Sequence, residues 1–159
     1  MHKHHRLFHL SLLAAAACFS VNVLAEEAVS SGNWSDSSTW AGGNIPEAGD
    51  QVTINNDVDV VLDTDTPELG GLTISGKLSF SDDVDQELST ERILIFGELE
   101  IGTEANPHTS NASITLVDNV KDEQLMGMGD RGIMLSGGTL NLHGNITNSW
   151  TKLAETAEK

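Results

Sequence analysis

The sequence predicts an all-β fold, a parallel β-helix (β-solenoid) of about five coils preceded by an N-terminal capping segment. Three observations carry that expectation. An aliphatic-x-aliphatic strand, a turn residue and a second such strand recur as VTINNDVDV from Val52, LTISGKLSF from Leu72, ILIFGELEI from Ile93, ITLVDNV from Ile114 and IMLSGGTLNL from Ile133. Their inner positions, Ile54, Ile74, Ile95, Leu116 and Leu135, are spaced by 20, 21, 21 and 19 residues, the length of one solenoid coil. A unit of that size buries its apolar face only by stacking on the next. Within each repeat aliphatic and polar residues alternate, so one face of each strand turns to a shared interior.

Taken in order, residues 1–25 stand apart. A basic start at His2, Lys3, His4, His5 and Arg6 leads into an apolar run from Leu7 to Leu24, and Val23-Leu24-Ala25 supplies a small-residue cleavage pattern before Glu26. This reads as a secretory signal peptide. One rival is a retained anchor, since the run approaches bilayer length, although Ser11, Ser20 and Asn22 interrupt it. The other is a lipoprotein signal acylated at Cys18, which lacks the usual large aliphatic residue three places earlier. Residues 26–50 are rich in Gly, Ser and Asp without strand periodicity and are expected to form turns. Their tryptophans, Trp34 and Trp40, either seal the open first coil, as terminal repeats must, or offer a sugar ring an aromatic platform.

The coils follow. Beyond each turn the inward pattern continues at Val58 and Val60, Leu78 and Phe80, Leu99 and Ile101, and Leu140 and Leu142, while the fourth repeat offers only Val120. The turn residues Asn56, Gly76, Gly97, Asp118 and Gly137 are types that tolerate left-handed backbone at a corner. Longer excursions at 102–111 and 120–131, the second with a helical turn over Asp122 to Met126, are the loops on which function is expected to sit.

The chain carries a formal charge of −16 from 8 cationic and 24 acidic residues. Removing residues 1–25 takes Lys3 and Arg6, leaving 6 cations against 24 acids and a charge of −18. That balance favours solubility and cation binding and excludes nucleic acid as a partner held by general electrostatics. No cysteine survives cleavage, so neither a disulfide framework nor thiol chemistry is available. The expected location is secreted, periplasmic or extracellular, with no membrane association after cleavage.

The blocks GNWSDSSTW, PEAGDQVTI, LGGLTISGKLSF, ILIFGELEIGTEANP, ASITL, GGTLNLHG and SWTKLA, in that order over residues 32–153, resemble the G-eight domain, named for its eight glycines. Fibrocystin and the secreted and cell-surface proteins that degrade hyaluronan share that domain. The resemblance implies a right-handed parallel β-helix that continues for many more coils, so residues 154–159 are expected to be a truncated tail. It also implies one of two functions. The first is an extracellular noncatalytic module that caps a longer β-helix and attaches to a glycan or a surface. The second is the N-terminal part of a polysaccharide-degrading enzyme. His143 in LHG and Trp150 in SWT match the family block, but the following AETAEK has no cation before Lys159 to hold a polyanionic sugar.

Candidate site residues are few. Trp34, Trp40, His143 and Trp150 are the candidate carbohydrate contacts, with a structural hydrogen bond at the strand corner as the competing reading of His143. Asp63 and Asp65, two apart in an extended segment, project from one face and are the best candidates for calcium, which takes six to eight oxygens. Pro67 and Glu68 break the EF-hand pattern there, and solvated turn acids are the competing reading of these residues and of Asp57, Asp59, Asp82, Asp83 and Asp85. His108 and His143 each lack a neighbouring His or Cys, which argues against zinc. No GxSxG, HExxH or P-loop pattern occurs, and acids this numerous do not single out a glycosidase pair. Asn33, Asn111 and Asn145 begin glycosylation sequons.

Overall fold

A computed structural model describes residues 25–121, 129 and 131–145. The expected signal peptide apart from Ala25, the helical turn at Asp122 to Met126, Trp150 and the tail lie outside the described residues. Twelve strands are described: β1 (Ala25–Ala28), β2 (Gly32–Asn33), β3 (Gln51–Ile54), β4 (Asp59–Leu62), β5 (Gly71–Ile74), β6 (Lys77–Phe80), β7 (Gln86–Thr90), β8 (Arg92–Ile95), β9 (Glu98–Ile101), β10 (Ala112–Leu116), β11 (Gly132–Leu135) and β12 (Thr139–Leu142). Short 3-10 turns at Ser37–Thr39 and Ala41–Gly43 follow β2.

The fold is all-β, built from parallel sheets with no closed barrel. One sheet has the order β1-β3-β5-β8-β11, a second β2-β4-β6-β9-β12, and a third pairs β7 with β10. Every strand pair is parallel, so the chain returns to each sheet in the same direction. Register follows the aliphatic pattern. Val52, Leu72, Ile93 and Ile133 align across the first sheet, as do Ile54, Ile74, Ile95 and Leu135, while Val60, Leu78, Leu99 and Leu140 align across the second. A slip of one residue would turn each of these sets outward, so burial itself fixes the register. Ile54, Val60, Leu62, Ile74, Leu78, Leu88, Ile93, Ile95 and Leu99 are fully enclosed, each worth roughly 1.5–3 kcal/mol on burial.

Four expectations need correction. Ile114 does not open a fourth coil: it pairs with Leu88, and Ile133 pairs directly with Ile93. The 102–111 segment carries the chain from β9 to the third sheet, so ITL repeats the local pattern on another side. Val120, expected inside, is 50% exposed. The segment expected to form turns contains β1, in register with β3, and β2, against β4. The corner glycines also serve another purpose. Among the expected corner positions only Gly137 has positive φ, and the left-handed residue at the first corner is Asp57 rather than Asn56. Gly76 and Gly97 are glycines because a Cβ would strike the carbonyl oxygens of Val58 and Asn55, and of Gly76 and Ser75.

The two ends of the sheets differ. At the first, Trp34 and Trp40 are 1% and 2% exposed. At the last, Ile133, Leu135 and Leu142 are 37%, 51% and 55% exposed on strands with no further neighbour among the described residues.

Candidate functional site

The sealed end is built from local sequence. Asp36 accepts from Ser38 N–H at 2.8 Å and starts the first 3-10 turn, which folds Trp40 back onto Trp34. That bond holds the Asp36 carboxyl below its ordinary value, with the Ser38 backbone N–H the largest cause. The indoles meet edge to face with centroids 4.7 Å apart, and Trp40 Nε1–H donates to the Trp34 carbonyl at 2.8 Å. Both rings are interior, which corrects their assignment as a sugar platform: stacking needs an exposed face, and theirs close the core.

Many acids tie one layer to the next. Asp63 accepts from Ser35 N–H at 3.0 Å and its hydroxyl at 2.6 Å. Asp65 accepts from Glu87 N–H at 2.8 Å, Asp85 from Asn111 N–H and its amide, and Glu91 from Asn119 and Val120 N–H. Asp63 and Asp65 thereby serve as acceptors for other segments of the chain. Among the described residues no group of three or more His, Cys, Asp or Glu is placed to hold a metal. Two of the cations are similarly engaged. Lys77 meets Glu100 at 2.9 Å and Glu98 at 3.7 Å, and Arg92 donates to Gly70 O and Gln51 Oε1.

The densest polar constellation lies where β9 leaves the second sheet. Gly102, at φ 70°, turns the chain so tightly that a Cβ would meet His108 N and His143 O. His108 is then held from both sides. Its N–H donates to His143 O at 2.7 Å and its carbonyl accepts from Asn145 N–H at 3.0 Å. The imidazole is 5% exposed, with Nδ1 3.5 Å from Asp82 Oδ1, whereas Nε2 is buried without a hydrogen-bond partner. Asp82 Oδ1 also accepts from the N–H groups of Thr109 and Ser110, and Oδ2 from the Thr109 hydroxyl. Those bonds, led by Ser110 N–H, lower the Asp82 carboxyl to about 2. The ring borders two cavities, of about 270 Å³ toward Glu100 and Asn106 and about 450 Å³ toward Ser110 and Asn145.

Of the expected contacts among the described residues, only His143 falls at this corner. It is half-buried, with its backbone bonded to Ile101 and His108. Sequence reading missed Asp82 and His108 as a pair. The available signal was the TSN run after His108, whose donors suit the aspartates at 82 and 85.

The model of the G8 domain matches residues 39–154. The chain is 38% identical over 128 residues to fibrocystin-L of Homo sapiens, covering 79% of this chain and about 3% of that protein. It is 39% identical over 127 residues to fibrocystin-L of Mus musculus, with 78% and 3% covered, and 38% identical over 114 residues to fibrocystin of Canis lupus familiaris, with 70% and 3% covered. No solved structure matches. The chain thus spans a small part of the length of these relatives, and it belongs to the G8 domain family.

Proposed function

We propose that this chain is an extracellular, noncatalytic module that forms the opening coils of a right-handed parallel β-helix and serves in glycan or surface attachment. The difference between the two ends of the sheets is the observation that carries this reading. Trp34 and Trp40 close the first layer, while Ile133, Leu135 and Leu142 leave the last layer apolar and exposed. Parallel edge strands with open N–H and C=O groups template further strands, and stacked repeats gain their core only from a neighbour. The much greater length of the fibrocystin relatives supports further coils behind such a layer. The signal-like residues 1–25 support export. Among the described residues no helix is long and apolar enough to cross a membrane.

Hydrogen exchange tests the layer. A second copy of residues 92–142 joined behind Leu142 is expected to slow exchange at the β11 and β12 amides and to raise the melting temperature. Unchanged protection at Leu135 and Leu142 would exclude a layer that accepts further coils.

A further inference from the structure

We propose that the cavity beside Glu26, at the sealed end of the sheets, takes the ammonium group of an amino sugar. This rests on the attachment reading above and names its ligand class. The first support is a carboxyl where the pattern calls for an aliphatic. Glu26 pairs with Val52, and the same inward column continues through Leu72 and Ile93. Glu26 is only 6% exposed, lines the cavity and accepts no side-chain hydrogen bond from any described residue. Neither of its oxygens is closed to solvent, in contrast to the amide of Gln86, so the carboxyl reaches the cavity. A carboxylate enclosed without a partner is costly. A ligand that brings both positive charge and hydrogen-bond donors removes that cost.

The surroundings set the ligand class. The cavity, of about 420 Å³, is also bounded by Gly43, Asn44, Ile45, Glu47 and Asp50, and it falls within the size of small-molecule sites. Buried Asp50 accepts from Glu47 N–H at 2.8 Å and donates its own N–H to the Glu47 carbonyl at 3.2 Å, which fixes the turn that carries Glu47. Three acids and no Lys or Arg line the cavity among the described residues, so a polyanion is repelled and a neutral ring leaves Glu26 without a countercharge. A metal ion is not served either, since no three His, Cys, Asp or Glu among the described residues are placed to hold one. Exposed Ile45 offers an apolar wall to the C–H face of a ring, and the Asn44 amide offers a donor and an acceptor to its hydroxyls. A protonated amino sugar has all three features, whereas a lysine side chain lacks the hydroxyls.

The purified chain is titrated with a glucosamine tetramer and with its fully N-acetylated counterpart, which lacks the ammonium groups, while backbone ¹⁵N–¹H shifts report the site. The amine is expected to bind saturably and to move the Asn44 and Ile45 amides, with the acetylated sugar roughly tenfold weaker or worse. Glu26→Gln keeps the side-chain shape and should weaken the amine by a similar factor without lowering the melting temperature. Glu104→Gln removes the same charge from an exposed position outside the cavity and should change little. Equal weakening by the two variants would reduce the binding to general attraction between opposite charges and overturn the site. Cleavage after Ala25 would place an α-ammonium on Glu26 itself, so the titration is repeated with that terminus acetylated. Binding that appears only then would mean that the chain's own amine fills the cavity, and would also overturn the site. A panel of neutral and anionic oligosaccharides runs alongside: binding there without binding of the amine overturns this site and leaves glycan attachment standing, whereas binding of no sugar overturns both.

Discussion

Asp82 holds Thr109 twice, accepting from its backbone N–H at 2.6 Å and from its hydroxyl at 2.8 Å across 27 residues of sequence. Ser110 N–H adds a third donor at 2.7 Å. The carboxylate thereby fastens the segment between β9 and β10 to the end of β6. Asp82→Ala should therefore lower the denaturation midpoint and speed amide exchange at Thr109 and Ser110, leaving exchange in β3 and β5 unchanged. An unaltered exchange rate at both residues would remove the clamp.

The same bonds set an acid limit. Asp82 is lowered from 3.8 to about 2, and Asp36 and Asp85 are lowered by donors from Ser38 and Asn111. A depressed carboxylate contributes its full stabilisation above the unfolded value, near 3.8, and loses it as pH falls through the folded value. Denaturation midpoints should thus drop as pH falls from 3.8 toward 2. Carboxyl ¹³C titration should place Asp82 well under 3.8; a midpoint at or above 3.8 contradicts the arrangement.

Trp34 is almost fully enclosed and Trp40 donates to its carbonyl. Trp34→Ala should cost about 3–5 kcal/mol in chemical denaturation, the usual range for deleting a buried aromatic. A loss below about 1 kcal/mol would mean that the first layer closes without this ring.

Two glycines separate space from conformation. At Gly97 an added Cβ would meet the backbone oxygens of Gly76 and Ser75, groups that cannot swing aside. At Gly132 nothing lies within 4 Å, and its φ is not positive. Gly97→Ala is expected to abolish cooperative unfolding or lower the melting temperature sharply. Gly132→Ala should be neutral or stabilising by about 0.4–1 kcal/mol, because it restricts the unfolded chain.

The first two sheets were legible because their inward residues are aliphatic and alternate: Ile54, Ile74 and Ile95 align as the spacing requires. The third sheet was not, because β7 turns Gln86 and Thr90 inward with Leu88 as its only aliphatic. Polar interior residues leave no alternation to read, and ITL at Ile114 consequently looked like another coil. The His108 corner was illegible for a different reason. Its partners come from positions 82, 143 and 145, and their approach depends on parallel pairing and on the turn at Gly102, which no local spacing encodes.

The remaining prediction concerns catalysis. Incubation of the purified chain with hyaluronan, chondroitin or neutral glycans, with and without calcium, should leave polymer length unchanged. Transition-state stabilisation needs groups free to act on the reacting atoms. Asp63, Asp82 and Asp85 spend their carboxylates on other segments of the chain. Lys77 is committed to Glu98 and Glu100. His108 and Asp82 form the nearest approach to an acid-base pair, but Asp82 is held ionised by its donors and His108 is 5% exposed. One buried imidazole can orient a hydroxyl; cleaving a glycosidic bond requires a second, separately positioned acid or base. Shortened hyaluronan that becomes full length again with His143→Ala or His108→Leu would reverse this conclusion and make the corner catalytic.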